Sequence, residues 1–126
     1  MKLPEALLWV TSVLFMAFGV AFAMAPQQGA EFATGARPSL PSALIDMRAT
    51  YGGMALGIGL FLGLCARRPS WVRTGLSASL LTVAAIGSAR LLGIIVDGSP
   101  NAIMLSLLAT EASFSGLYVI ALRRVG

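Results

Sequence analysis

Histidine is missing from this 126-residue chain, cysteine occurs once, and only 11% of the residues are charged. Each shortage excludes something. With no histidine and Cys65 alone, neither a CxxC pair nor a Cys/His cluster can form, so no transition-metal site of nitrogen and sulfur ligands is expected. No cofactor is implied either. The absent histidine also removes the commonest general base near neutral pH. A single cysteine allows no intrachain disulfide, and Cys65, closing an apolar run, reads as a small packing residue. The GxSxG, HExxH, P-loop and Rossmann patterns are all missing. Soluble domains carry about 25% charged residues, so the charge deficit points away from water and toward a membrane.

What is present agrees. Hydrophobic residues make up 57% of the chain, and the mean hydropathy is +0.85. Four apolar segments, at about 6–25, 42–66, 76–96 and 101–122, are each long enough to cross about 30 Å of hydrocarbon at about 1.5 Å per residue. They predict an all-α, integral-membrane four-helix bundle in a single domain, 1–126. The first segment resembles a signal peptide, but Pro26 directly after Ala23, Met24 and Ala25 argues against cleavage. An uncleaved helix is expected. Residues 26–41, with three prolines and two glycines, read as the one long loop, with Phe32 and Leu40 dipping back onto the helices. Ser42 is the expected N-cap of the second helix, and Trp71 suits an interfacial belt.

The net charge is +4, but its distribution fits topology better than nucleic acid, which is not an expected partner. Lys2, Arg67, Arg68, Arg73, Arg123 and Arg124 fall on one side of the predicted bundle, and only Arg37 lies in the opposite connections. The positive-inside rule then places both termini in the cytoplasm, with the 26–41 loop and the turn at Asp97 outside.

Three charges fall within the apolar segments: Arg48, Arg90 and Glu111. Counted from their helix ends, they lie about 9, 10 and 15 Å from the outer side. The expectation is one cluster, with Glu111 between the two arginines and with Asp97 and Asp46 near its mouth. Tyr51, three residues beyond Arg48, is placed to stack on it or bond to it. Ionisable residues inside a membrane are functional candidates by default. Two arginines against one deep acid leave positive charge in surplus, which favours an anion. An ion-pair cluster that merely locks the bundle is the competing reading.

Glycines supply a second pattern. Arg48, Gly52, Ala55, Gly59 and Gly63 share one face of the second helix, and a stripe of so little bulk lets another helix approach backbone to backbone. Gly93 is assigned a similar packing role. Arg48 heads this stripe, and its acidic partner is expected on the third or fourth helix.

Met47, Arg48, Tyr51, Gly52 and Gly53, then Ala89, Arg90 and Gly93 followed by Asp97 and Gly98, and finally Glu111, resemble the DUF4345 family of small bacterial membrane proteins. The resemblance covers nearly the whole chain. It implies four helices in a bacterial inner membrane and carries no activity with it. A looser similarity to DoxX-like four-helix proteins is an analogy of fold.

Taken together, these features lead us to expect a non-enzymatic binding or accessory component of the inner membrane, in contact with lipids and docked on a larger membrane complex. The alternative is a protein that binds or transports a lipid, an anion or a small molecule in an outward pocket of Arg48, Arg90 and Glu111. A membrane enzyme with Glu111 as acid or base is a third, weaker reading.

Overall fold

The computed structural model describes residues 1–125, and every regular element among them is helical. Helix α1 spans Leu3–Met24, α2 Pro26–Thr34 and α3 Pro41–Met47. A π-helical segment, Arg48–Gly53, continues α3 into α4, Met54–Arg67. A 3-10 turn at Pro69–Trp71 leads into α5, Val72–Asp97, and α6 covers Ala102–Arg124. Four continuous stretches are long and apolar enough to cross a membrane: Leu3–Met24, Pro41–Arg67, Pro69–Asp97 and Ala102–Arg124.

The expected long loop is largely helical. Pro26 occupies the first turn of α2, where its fixed φ suits a helix and its missing N–H costs nothing. Gly35 closes the helix in the left-handed region at φ 78°. Phe32 and Leu40 do not fold back; both are exposed. Ser42 is not a cap, because Pro41 already occupies the first turn and Leu40 stands before it. Helix α5 begins at Val72 rather than at Leu76, so Gly75 lies inside it. A methyl group on Gly75 would sit 2.6 Å from Cys65 Cβ and 3.1 Å from the Leu8 methyls, so this glycine is a packing contact rather than a helix stop.

The four long helices form two antiparallel pairs. In the first, the small-residue face of α4 lies directly on α1. A methyl on Gly52 would meet the Ala23 Cα at 2.9 Å, one on Gly59 the Met16 amide nitrogen at 2.9 Å, and one on Gly63 the Ser12 hydroxyl at 3.0 Å. From the other side, Gly19 of α1 admits the Leu56 backbone. The Ser12 hydroxyl donates to the Gly59 carbonyl at 2.7 Å across this seam. The stripe read from the sequence is therefore an intrachain contact between backbones.

The second pair, α5 and α6, meets the first only at the end that carries both termini. The core there comprises Leu7, Leu8, Leu62, Cys65, Val72, Leu76, Val83, Tyr118 and Ala121. Tyr118 is fully buried, and its oxygen lies 2.6 Å from the Thr11 hydroxyl. Thr11 donates its own hydrogen to the Leu7 carbonyl, so Tyr118 donates to Thr11. Arg67 over Trp9 and Arg68 over Trp71 flank this basic end. Toward the opposite end, from residue 84 of α5 through residue 117 of α6, no residue is buried. The pairs part there, and α2 reaches across the gap. Its Gly29 faces the Phe22 ring, which a methyl there would meet at 3.1 Å, and its Ala33 carbonyl accepts a hydrogen bond from the Asn101 side chain at the start of α6.

Candidate functional site

Arg90 and Glu111 face each other across α5 and α6 in the half of the bundle where the pairs part. The guanidinium grips the carboxylate from two directions: Nε donates to Oε2 at 2.9 Å and Nη2 to Oε1 at 2.6 Å. Glu111 approaches this closely because Gly87, one turn before Arg90, has no side chain; a methyl there would lie 3.3 Å from Glu111 Cβ. Arg90 Nη1 donates to Met104 Sδ at 3.1 Å. A guanidinium has five N–H groups. Those contacts use three, leaving one on each terminal nitrogen without an acceptor among the described residues.

A hollow of about 400 Å³ opens beside Arg90 at the end where α2 crosses, lined by Thr34, Gly93, Asp97, Asn101 and Met104 among others. A smaller groove of about 250 Å³, lined by Val83, Gly87, Leu91, Leu108, Glu111 and Ser115 among others, lies deeper along the α5–α6 seam. The Arg90–Glu111 pair stands between the two. Asn101 shapes the rim: its side-chain oxygen caps α6 by accepting from the Met104 N–H at 2.8 Å, while its nitrogen reaches Ala33 at 3.1 Å.

Arg48 is not part of this cluster, contrary to the sequence reading. It donates to the carbonyls of Ala23 and Met24, the second at 3.2 Å. These are the last carbonyls of α1, which have no partner within the helix and carry the negative end of its dipole. Arg48 thus needs no carboxylate. Tyr51 does not stack on Arg48 either; its ring packs against Phe22 at 5.4 Å between centroids. Both residues belong to the π-helical segment, whose wider turn moves positions three apart onto different faces and keeps those four apart closer to one face. Gly52 accordingly stays on the Arg48 side.

Two further assignments change. Gly93 is not a packing glycine: the only atom a methyl there would meet is Asp97 Oδ2, at 3.8 Å. It forms the floor of the hollow between Arg90 and Asp97. Asp97 lines the mouth, and no cation among the described residues lies within ion-pair distance of it. Asp46 lies elsewhere, accepting from Thr50 at 3.3 Å. With Arg48 committed to α1, the expected surplus of positive charge is gone. Arg90 and Glu111 neutralise each other, and Asp97 is the remaining charge.

Sequence reasoning missed Gly87, Met104, Asn101 and Thr34. Two of these left a trace, since Gly87 lies one turn from Arg90 and Met104 two turns from Glu111 on the same helix faces. Thr34 and the contact of Asn101 with α2 leave none, because the composition of residues 26–41 reads as loop.

The model of a family described as a domain of unknown function, DUF4345, matches residues 4–122, and the chain belongs to that family. No curated protein and no solved structure matches, and the looser likeness to DoxX-like proteins is not shown.

Proposed function

We propose that this DUF4345 protein is a non-catalytic, multi-pass component of the bacterial inner membrane that holds a small polar or amphiphilic ligand in the hollow beside Arg90. The observation that carries this reading is the incompletely satisfied guanidinium: Arg90 lines an open hollow with two N–H groups that no atom among the described residues accepts. Arg48 also leaves N–H groups open, but it is exposed and lies beside no hollow, whereas Arg90 is part-buried and lines one. Glu111 is held by Arg90 at 2.6 Å, which argues against a role as general base. The basic residues at the end with both termini support a cytoplasmic location for them. Arg37, the exception on the other side, is already paired with Glu31 at 3.1 Å. On this orientation the hollow opens outward, and an alkaline phosphatase reporter fused after Arg124 is inactive; periplasmic activity would reverse the topology.

The test of binding is native mass spectrometry on protein extracted in mild detergent. Wild type retains a small adduct, and Gly93→Leu, whose side chain starts from an open position and projects into the hollow, does not. Equal spectra for the two would remove the binding role. A second reading, membership in a larger membrane complex, is supported by the bare surface of α5 and α6. A pull-down in mild detergent that recovers the chain with stoichiometric membrane partners would favour it.

A further inference from the structure

The charge pattern of the hollow narrows the ligand, on the premise that the hollow is a binding site. Arg90 and Asp97 are seven residues apart on α5, so their Cα atoms are separated by about 10 Å along one face. Between them lies Gly93, a gap in the side-chain surface, with the Asp97 carboxylate leaning over its edge. A ligand seated on Gly93 therefore meets N–H donors on one side and an uncompensated carboxylate on the other.

A simple anion would satisfy Arg90 but lie against Asp97. With Glu111 included, the three charges sum to −1, so an anion finds no net attraction. A simple cation would satisfy Asp97 and leave the free N–H groups of Arg90 unmet. Only a molecule carrying both signs serves both ends. The cationic end is constrained further. A quaternary ammonium is recognised by the faces of aromatic rings, and no aromatic side chain lines the hollow. A primary ammonium instead donates hydrogen bonds, which the Asp97 carboxylate and the Ser99 hydroxyl accept. Ile94, Pro100 and Met104 give the hollow an apolar wall beside these polar groups.

We infer that the hollow binds a phosphate ester bearing a primary ammonium, the headgroup of an aminophospholipid such as phosphatidylethanolamine, with its phosphate on Arg90 and its ammonium on Asp97. The same headgroup chemistry also exists as soluble phosphoethanolamine, and the experiment separates the two sources.

The full chain is placed in nanodiscs of equal parts phosphatidylethanolamine, phosphatidylglycerol and phosphatidylcholine, then stripped with detergent. The lipid that remains bound is read by native mass spectrometry. Wild type keeps phosphatidylethanolamine about tenfold over the other two, the ratio given by one well-placed charge-assisted contact. Asp97→Asn, an exposed change that leaves the melting temperature in place, brings the ethanolamine-to-glycerol ratio to about one or below. Gly93→Leu retains no lipid. Stabilisation of the stripped protein by soluble O-phosphoethanolamine, without lipid retention, supports the headgroup assignment with a soluble source. Wild type that prefers phosphatidylglycerol, or holds phosphatidylcholine equally well, overturns the assignment while the hollow stands as a site. Retention of no lipid and no response to O-phosphoethanolamine, with wild type and Gly93→Leu alike, overturns the site itself.

Discussion

The two helix pairs of this protein solve the same problem in different ways. Helices α1 and α4 lie backbone on backbone, with glycines where side chains would keep them apart, and seven of the 22 residues of α1 and four of the 14 of α4 are buried. Only five of the 26 residues of α5 and two of the 23 of α6 are buried; this pair touches the first at one end and carries an ion pair where the first pair carries glycine. Lipid is as apolar as leucine, so apolar contact alone does not drive helices together in a membrane; close packing and polar contacts do. The first pair relies on packing and is a scaffold. The second relies on a polar contact and keeps a hollow beside it. Each of the following changes tests that division.

The largest effect is expected in the scaffold. Gly59→Leu drives a side chain into a place where even a methyl would lie 2.6 Å from Met16 Cγ and 2.9 Å from its amide nitrogen. The backbones must separate and the Ser12 hydrogen bond to the Gly59 carbonyl is lost. A cost of about 3 kcal/mol or more is expected, the upper range of overpacking, read as a large fall in melting temperature in detergent. A variant that melts like wild type would mean that the seam is not the scaffold.

A smaller loss is expected from Glu111→Gln. Breaking a fully buried pair from one side costs about 3–5 kcal/mol, whereas an exposed pair is worth about 1 or less. With side-chain exposures of 20% and 12%, this pair falls between the two, at about 2 kcal/mol. Replacing both partners by methionine leaves no charge unmatched, so Arg90→Met with Glu111→Met recovers most of that loss. If the double variant is no better than Glu111→Gln, the pair is not what joins α5 to α6.

Arg48 comes next, at about 1 kcal/mol for Arg48→Met, since it removes charge-assisted bonds to helix-end carbonyls at an exposed site. The informative quantity is its coupling to Glu111. In the single cluster expected from the sequence, the two changes would be strongly non-additive. In this structure they belong to different pairs and share no partner, so a thermodynamic cycle of Arg48→Met and Glu111→Gln should add to within about 0.5 kcal/mol.

The same contrast explains what the sequence made legible. Four spans, the Gly52–Gly59–Gly63 seam and the Arg90–Glu111 pair were readable, because span length, small-residue spacing and opposite intramembrane charge each leave a compositional mark. The partner of Arg48 was not. Helix-end carbonyls exist in every helical protein and leave no mark in its sequence, so an acidic side chain is the only partner that composition suggests. The place of Tyr51 failed for a related reason: a π-helical segment shifts the register of faces, and only the backbone reveals it. Helix α2 is hidden by Pro26 and Gly35, which bound it rather than break it, and by Gly29, which faces the Phe22 ring from within it. Gly93 shows the limit of glycine patterns, since the spacing that marks a seam on α4 marks an open floor on α5.

That last difference gives the smallest effect and the sharpest comparison, because one substitution should change stability in opposite directions in the two pairs. Alanine favours a helix over glycine by about 0.8–1.0 kcal/mol, through lower chain entropy in the unfolded state and less exposed backbone. At Gly93 nothing opposes that gain: the added methyl meets only Asp97 Oδ2, at an ordinary contact distance of 3.8 Å. Gly93→Ala is therefore expected to stabilise the protein, by about 0.5 kcal/mol once the hydrogen-bonding constraint of a membrane helix on the unfolded reference is allowed for. At Gly59 the same methyl collides with Met16 and with the Ser12 carbonyl at 2.9 Å, and the clash outweighs the propensity gain. Gly59→Ala should lower the melting temperature and Gly93→Ala should raise it slightly, in the same detergent and at the same protein concentration. A fall at both positions would place an unseen helix surface against Gly93 and restore the packing role that its spacing suggested. A rise at both would dissolve the distinction between scaffold and site on which the hollow depends.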